Sequence, residues 1–280
     1  MTPKKIICPL GSAHSQGDIV RVIELVGRSN AHLTIPLIQL APPMPIVGDL
    51  PVTDTWSVEM HALQGQVIEQ ANELEQSLHR SGLSADVMPI VCAPNEIEHL
   101  IGWHGRFADV ALAATALRND PDIQYRSING LLFESGKPLL VEPPLREAVP
   151  LQLTPTKVLI AWDGGLACSR AVTHAINLLQ ATTEVHVVCI DLDVDNSPSG
   201  RSQGWELGEF LSHHSVNVNV VELAAGGLSV DALLNRHATE VGAELIVMGA
   251  YGHSRLRAWV LGSTTRAMLK NCVVPIYMAH

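Results

Sequence analysis

The chain contains no C-x-x-C pair, no G-x-G-x-x-G, no H-E-x-x-H and no G-x-S-x-G. Those absences remove the usual zinc, dinucleotide, metalloprotease and serine-hydrolase readings. Its five cysteines, Cys8, Cys92, Cys168, Cys189 and Cys272, are odd in number and widely spaced, which fits small buried side chains better than a disulfide framework. No apolar run reaches the roughly 18 residues of a membrane span. The start, Met1 to Lys5, lacks the apolar stretch and small-residue site of a signal peptide, so cytoplasmic residence is the expectation. Charged residues are only 16% of the chain against 47% hydrophobic, a profile that favours a packed core over disorder. The net charge of −10 argues against general nucleic-acid binding. The acids stop at Glu244, however, and the stretch after it carries Arg255, Arg257, Arg266 and Lys270. Such a basic segment suits a small anionic ligand or a solvated helix face.

What the sequence does contain is alternation. Short apolar runs and longer amphipathic stretches follow one another as βαβαβαβαβ, and the order occurs twice. In the second half the runs 157–162 (KVLIAW), 184–191, 216–223, 244–249 and 273–278 read as strands, with helical spacing over 166–180, 203–214, 229–241 and 263–270. In the first half the strands are 4–10, 32–40, 85–91, 108–115 and 138–141, with a long helix over 54–80 and a short one over 96–105. The expectation is an α/β protein of two tandem doubly wound domains, each a five-stranded parallel sheet with helices on both faces. The domains are placed at 1–143 and 157–280, joined by a linker at 144–156 that holds Pro144, Pro150 and Pro155.

Open sheets of this kind bind ligands beyond the carboxyl ends of their strands, where the strand order reverses. That rule singles out two loops in the second half. After its fourth strand comes G-x2-G-x9-G-[ST], built on Gly249, Gly252, Gly262 and Ser263. Glycines permit close backbone approach, and a helix starting after Gly262 leaves the first amides of Ser263, Thr264 and Thr265 without helical partners. Donors of that kind suit phosphate. The competing reading is a glycine-rich turn with Ser263 as an ordinary helix cap. After the first strand comes Trp162-Asp163-Gly164-Gly165. Asp163 could accept from a base amino group or a ribose hydroxyl, or it could simply cap the turn before the helix. His253 and Arg255 lie inside the phosphate loop, either near a γ-phosphate or in solvent.

The spaced glycine–serine motif, together with the run Val158-Leu159-Ile160-Ala161-Trp162-Asp163-Gly164, resembles the universal stress protein family in its ATP-binding form. The resemblance covers the second half; the first half shares only the element order, and the whole looks like a tandem universal stress protein. It implies ATP as the ligand, with Mg²⁺ or Mn²⁺ beside it. Asp163 would contact adenine or ribose, and the backbone at Ala161 and Ile190 would flank the base. Met248 and Gly249 would lie by the ribose and Gly252 near the phosphates, which Gly262, Ser263 and Thr264 would hold. Gly165 departs from the serine many members carry. The resemblance also implies that the short edges 138–141 and 274–278 pair across the domains as an intramolecular pseudo-dimer, and homodimerisation of the whole chain is compatible with it. The first half has Pro9 where the acid should stand and no glycine pair after its fourth strand, so it reads as a degenerate partner domain. No residue is placed to position a hydrolytic water. The expectation is therefore a regulatory ATP-binding protein with slow or no turnover and no catalytic residues; an interaction scaffold of the same fold and a slow ATPase are the alternatives.

Overall fold

The computed structural model describes residues 3–27, 29–44, 46–47, 50–51, 53–144, 150–191, 202–250 and 262–280. The chain divides into two compact units, Thr2–Lys137 and Pro138–His280, the second of which also takes Met1. Both are α/β, with mostly parallel sheets.

The first unit runs β1 (Lys5–Ile7), α1 (Gln16–Val26), β2 (His32–Leu40), α2 (Thr53–Arg80), β3 (Ala85–Cys92), α3 (Ile97–Gly105), β4 (Val110–Ala113) and α4 (Pro121–Asn129). Its main strands pair in parallel in the order β4-β1-β2-β3. Pro9 has no N–H to give the ladder, but the pairing resumes beyond it, where Leu10 and Gly11 meet Leu37 and Ile38. Helix α1 begins with a capping box in which Ser15 and Asp18 serve each other's backbone N–H, and Asp120 caps α4 by accepting from the N–H groups of Asp122 and Ile123 at 3.1 Å.

The second unit runs β5 (Leu139–Val141), β6 (Lys157–Trp162), α5 (Leu166–Gln180), β7 (Glu184–Ile190), α6 (Gln203–His213), β8 (Val218–Leu223), α7 (Val230–Val241), β9 (Leu245–Gly249), α8 (Ser263–Asn271) and β10 (Ile276–Ala279). Five strands pair in parallel in the order β8-β7-β6-β9-β10. The sixth, β5, joins antiparallel to β10, setting Val141 opposite Ile276 and Leu139 opposite Met278. The two short edges therefore do pair, but 139–141, expected as the fifth strand of the first domain, is grouped with the second unit. The first unit keeps its four main parallel strands. Val158, Leu159 and Ile160 are all fully buried, as are Leu245, Ile246 and Val247. Because successive strand residues face opposite ways, the centre of this sheet is covered on both faces.

Among the described residues no helix is long and apolar enough to cross a membrane. All five cysteines are free and buried. Burial, followed by the Asp163 carboxylate, pushes the Cys168 thiol up to about 12, and burial does the same to Cys189. The folded protein should therefore leave a thiol reagent unreacted at about pH 8, and denaturant should release five thiols, counted by absorbance; rapid labelling of native protein would contradict the packing. A second expectation concerns Gly249. A Cβ there would stand 2.6 Å from the Cys168 amide nitrogen and 3.0 Å from the Ala167 carbonyl carbon. Gly249→Ala should lower unfolding free energy by about 1–3 kcal/mol in denaturant titrations, whereas Gly262→Ala, whose Cβ meets nothing among the described residues, should stay within about 0.5 kcal/mol of wild type.

Candidate functional site

In the second unit the chain leaves β6 toward β7 and β8, then returns to the other side of β6 for β9 and β10. The strand order thus reverses between β6 and β9, and the helices that leave their carboxyl ends part there. A cavity of about 250 Å³ lies at that reversal. Its lining includes Ala161, Asp163, Ile190, Met248, Gly249, Gly262, Ser263 and Thr264, so eight residues singled out in the sequence come together around one space. Gly252 and His253 lie outside the described residues.

The cavity has an apolar wall and a polar rim. Ala161 is laddered to Val188 on one side and to Met248 on the other, so these three share a face, and Ile190 follows two residues after Val188 on the same face. Helix α7 supplies Val230 and Leu234, four apart and hence on one stripe. Val188, Leu234 and Met248 are almost fully buried. Trp162, out of step by one with Ala161, shares the opposite face with its partner Cys189. Val188, Val230 and Leu234 were not singled out in the sequence, and Thr265 only for its backbone amide. The signal was present, as the i−2 neighbour of Ile190 and the i, i+4 stripe of α7.

The rim is the start of α8. Gly262 occupies the cap position, with extended backbone and no side-chain hydrogen bond to the first turn. Ser263 is therefore the first helical residue and not the cap, and its hydroxyl is free of that duty. Helix α4 occupies the corresponding place in the first unit, after the fourth strand, and there Asp120 consumes the same amides. None of the four long helices of the second unit has a side-chain cap bond to its first turn. At α8 the uncapped amides carry the positive end of the helix dipole toward the cavity.

Opposite this rim, Asp163 Oδ1 accepts from the Gly165 N–H at 2.8 Å. The carboxylate does hold the turn, as the plainer reading of the sequence allowed. It is half-buried and lines the cavity. Gly164 is held at φ +72° and a Cβ there would run into the Gln203 side chain, so the turn requires glycine. At Gly165 a Cβ would meet Asp163 Oδ1 at 2.9 Å, so a serine at this position could not be added without moving the acid. Gly249 serves a different purpose from the one its place in the motif suggests. Its missing side chain makes room for α5 on the face away from the cavity, and the thiol of Cys168 donates to the Ala161 carbonyl at 3.1 Å across the same contact.

Residues 155–280 match the model of the Universal stress protein family. Among curated proteins, Universal stress protein Slr1230 of Synechocystis sp. (strain ATCC 27184 / PCC 6803 / Kazusa) is 29% identical over 141 residues, 50% of this chain and 46% of that protein. The chain thus spans about half the length of the curated relative it matches, at 46%. Among solved structures, a universal stress protein from Archaeoglobus fulgidus DSM 4304 aligns with a TM-score of 0.65 at 18% identity, covering 97% of this chain and 94% of that one. The functionally unknown protein PA1789 from Pseudomonas aeruginosa PAO1 aligns at 0.57 and 16% identity, covering 98% and 92%. At these identities the structural likeness is one of fold, extending along both units. The likeness to the Universal stress protein family is carried by the second unit: it is residues 155–280, with their reversed strand order, that match the family model.

Proposed function

We propose that the second unit binds an adenine nucleotide, ATP, in the cavity between β6 and β9, and that the protein is a regulatory stress-response protein whose output follows nucleotide occupancy. The observation that carries this reading is the pairing of an uncapped helix start at Gly262–Thr264 with an apolar wall of Val188, Ile190, Leu234 and Met248. A planar base fits the wall, and phosphate oxygens fit the first amides of α8, which no side-chain cap serves among the described residues, and the hydroxyls of Ser263 and Thr264. Asp163 is placed to accept from the ribose or the base with the oxygen its turn leaves over. Among the described residues no group of three His, Cys, Asp or Glu side chains suits a metal ion. Mg²⁺ or Mn²⁺ accompanying ATP would be held by the phosphates and the Ser263 or Thr264 hydroxyl. It would neutralise phosphate charge there. Hydrolysis would need a base or a water-positioning group at the phosphate end. The rim residues Gly262, Ser263 and Thr264 supply donors, and slow or no turnover is part of this proposal.

Thermal shift tests occupancy. ATP with Mg²⁺ at about 100 times Kd should add roughly 2.7 kcal/mol of stability. No shift, with no nucleotide released from purified protein, would favour a scaffold with an empty cavity, and steady phosphate release lost in Ser263→Ala would favour a slow ATPase. Charge separates ligand binding from helix stability. Ser263→Asp should raise stability by about 0.5 kcal/mol, because an acid suits a helix start. It should also weaken ATP by roughly a hundredfold through repulsion of the phosphates. If ATP still bound Ser263→Asp as it binds wild type, the phosphate assignment would be wrong. Asp163→Asn keeps the turn acceptor and should keep stability while weakening ATP about tenfold; Asp163→Ala should in addition cost about 1 kcal/mol of folding free energy by denaturant titration.

A further inference from the structure

The sheet face that walls the cavity continues below it. Along β7 that face carries Ile190, Val188 and then His186, each two residues apart. Along α7 the inward stripe carries Val230, Leu234 and then His237. One step beneath the apolar wall, two imidazoles therefore meet between strand and helix, with ring centroids 5.8 Å apart and planes at 64°. Their side chains are only 12% and 13% exposed. His186 Nδ1 and Nε2 and His237 Nε2 are buried without a hydrogen-bond partner. Buried polar atoms are nearly always satisfied, so three together call for an explanation.

The surrounding charges supply one. Glu184 Oε1 lies 3.1 Å from His186 Nε2, near enough to attract a cation although not aligned as a hydrogen bond. Glu184 is itself held by Lys157 of β6 at 3.1 Å and by the Asn219 amide of β8 at 2.9 Å. On α7, Glu240 lies 3.7 Å from His237 Nδ1 and 3.6 Å from Arg236. Helix α8, packed on α7, brings Arg266 and Lys270, both exposed. Helix α6 packs on the other face of β7, where a Cβ on its Gly204 would touch Cys189. One proton on the pair is thus matched by a neighbouring carboxylate. A second would set two like charges within 5.8 Å in a poorly solvated layer, where Glu184 and Glu240 are already engaged by Lys157 and Arg236, and separation of the rings relieves the repulsion.

We infer that His186 and His237 form a proton-operated latch between β7 and α7, closed when at most one ring is charged and released when both are. Release moves α7 away from the sheet and with it Val230 and Leu234, so acidification loosens the cavity. The latch stands on its own geometry; only its effect on ligand affinity rests on the nucleotide reading. Burial, and next the charge of His186, hold the His237 imidazole below its ordinary value of 6.5. The unfolded chain therefore takes up this proton first, and stability present above pH 6.5 is lost as pH falls through that value toward the lower folded one.

The test uses the full chain. Nucleotide-free melts of wild type, His237→Gln and His186→Gln are compared at about pH 7.5 and about pH 5.5, and the histidine ring protons of wild type are titrated by NMR. Wild type should lose roughly 3 °C more Tm than either variant, and the two rings should titrate in two separated steps. Parallel melts in all three proteins, or two rings titrating independently, overturn the latch. Kd for Mg-ATP is measured at the same two pH values, so that the titration of the ligand itself is common to every protein. Wild type should weaken roughly fivefold more than the variants. Diverging melts without ATP binding at any pH would uphold the latch and refute the nucleotide reading. Binding that weakens equally in all three proteins would overturn the link from latch to cavity.

Discussion

The site depends on one topological constraint: a central strand whose neighbours are reached in opposite directions. Strand β6 pairs with β7 on one side and β9 on the other, both in parallel. Parallel neighbours need crossovers, and crossovers of one hand taken in opposite directions must place their helices on opposite faces. The carboxyl ends of β6 and β9 are thereby left without a covering helix between them. At the end of β6 the chain turns through Asp163-Gly164-Gly165, where the two glycines bring backbone rather than bulk, and Gly262 stands at the start of α8. The tight seating of α5 on β9, which Gly249 makes possible, fixes the back wall of the gap while the front stays open.

The contrast between the two units shows what the constraint does not supply. Each has parallel strands with helices crossing between them, yet their helix starts are finished differently. Ser15 with Asp18, and Asp120, use their own side chains to satisfy the first amides of α1 and α4. In the second unit Gly165, Ser202, Ser229 and Gly262 stand at the helix starts without doing so. A glycine cap in place of Ser, Thr, Asn or Asp costs only a few tenths of a kcal/mol, and at α8 that start lies beside the cavity.

Much of the second unit was legible because period and punctuation agreed. KVLIAW, EVHVVCI and LIVMG are uninterrupted apolar runs of strand length, and Gly262 marked the start of α8 to the residue. Edges were less legible. The strand expected over 273–278 begins only at Ile276, after Pro275, which cannot donate to a ladder. Helices α1 and α4 left clear signatures, a capping box and Asp-Pro, that apolar periodicity alone did not bring out. Within the site, the motif gave the rim and the acid, but the apolar wall came from alternation on β7 and the stripe on α7, which acquire meaning only once the strand order is known. The plainer reading of Asp163, as a turn cap, holds beside its place in the cavity; that of Ser263 does not, because Gly262 takes the cap.

The antiparallel strand β5 bears on where the second unit begins. It comes from 139–141, ahead of the prolines at 143, 144, 150 and 155, and it closes the side of β10 that would otherwise be a bare row of N–H and C=O groups. A fragment cut at the proline-rich stretch, where the sequence invites the cut, would strip that cover and leave Ile276–Ala279, an apolar edge, free to recruit strands from other molecules. The covalent seam and the folding seam of this protein are thus about a dozen residues apart, and the shorter fragment would trade solubility for brevity.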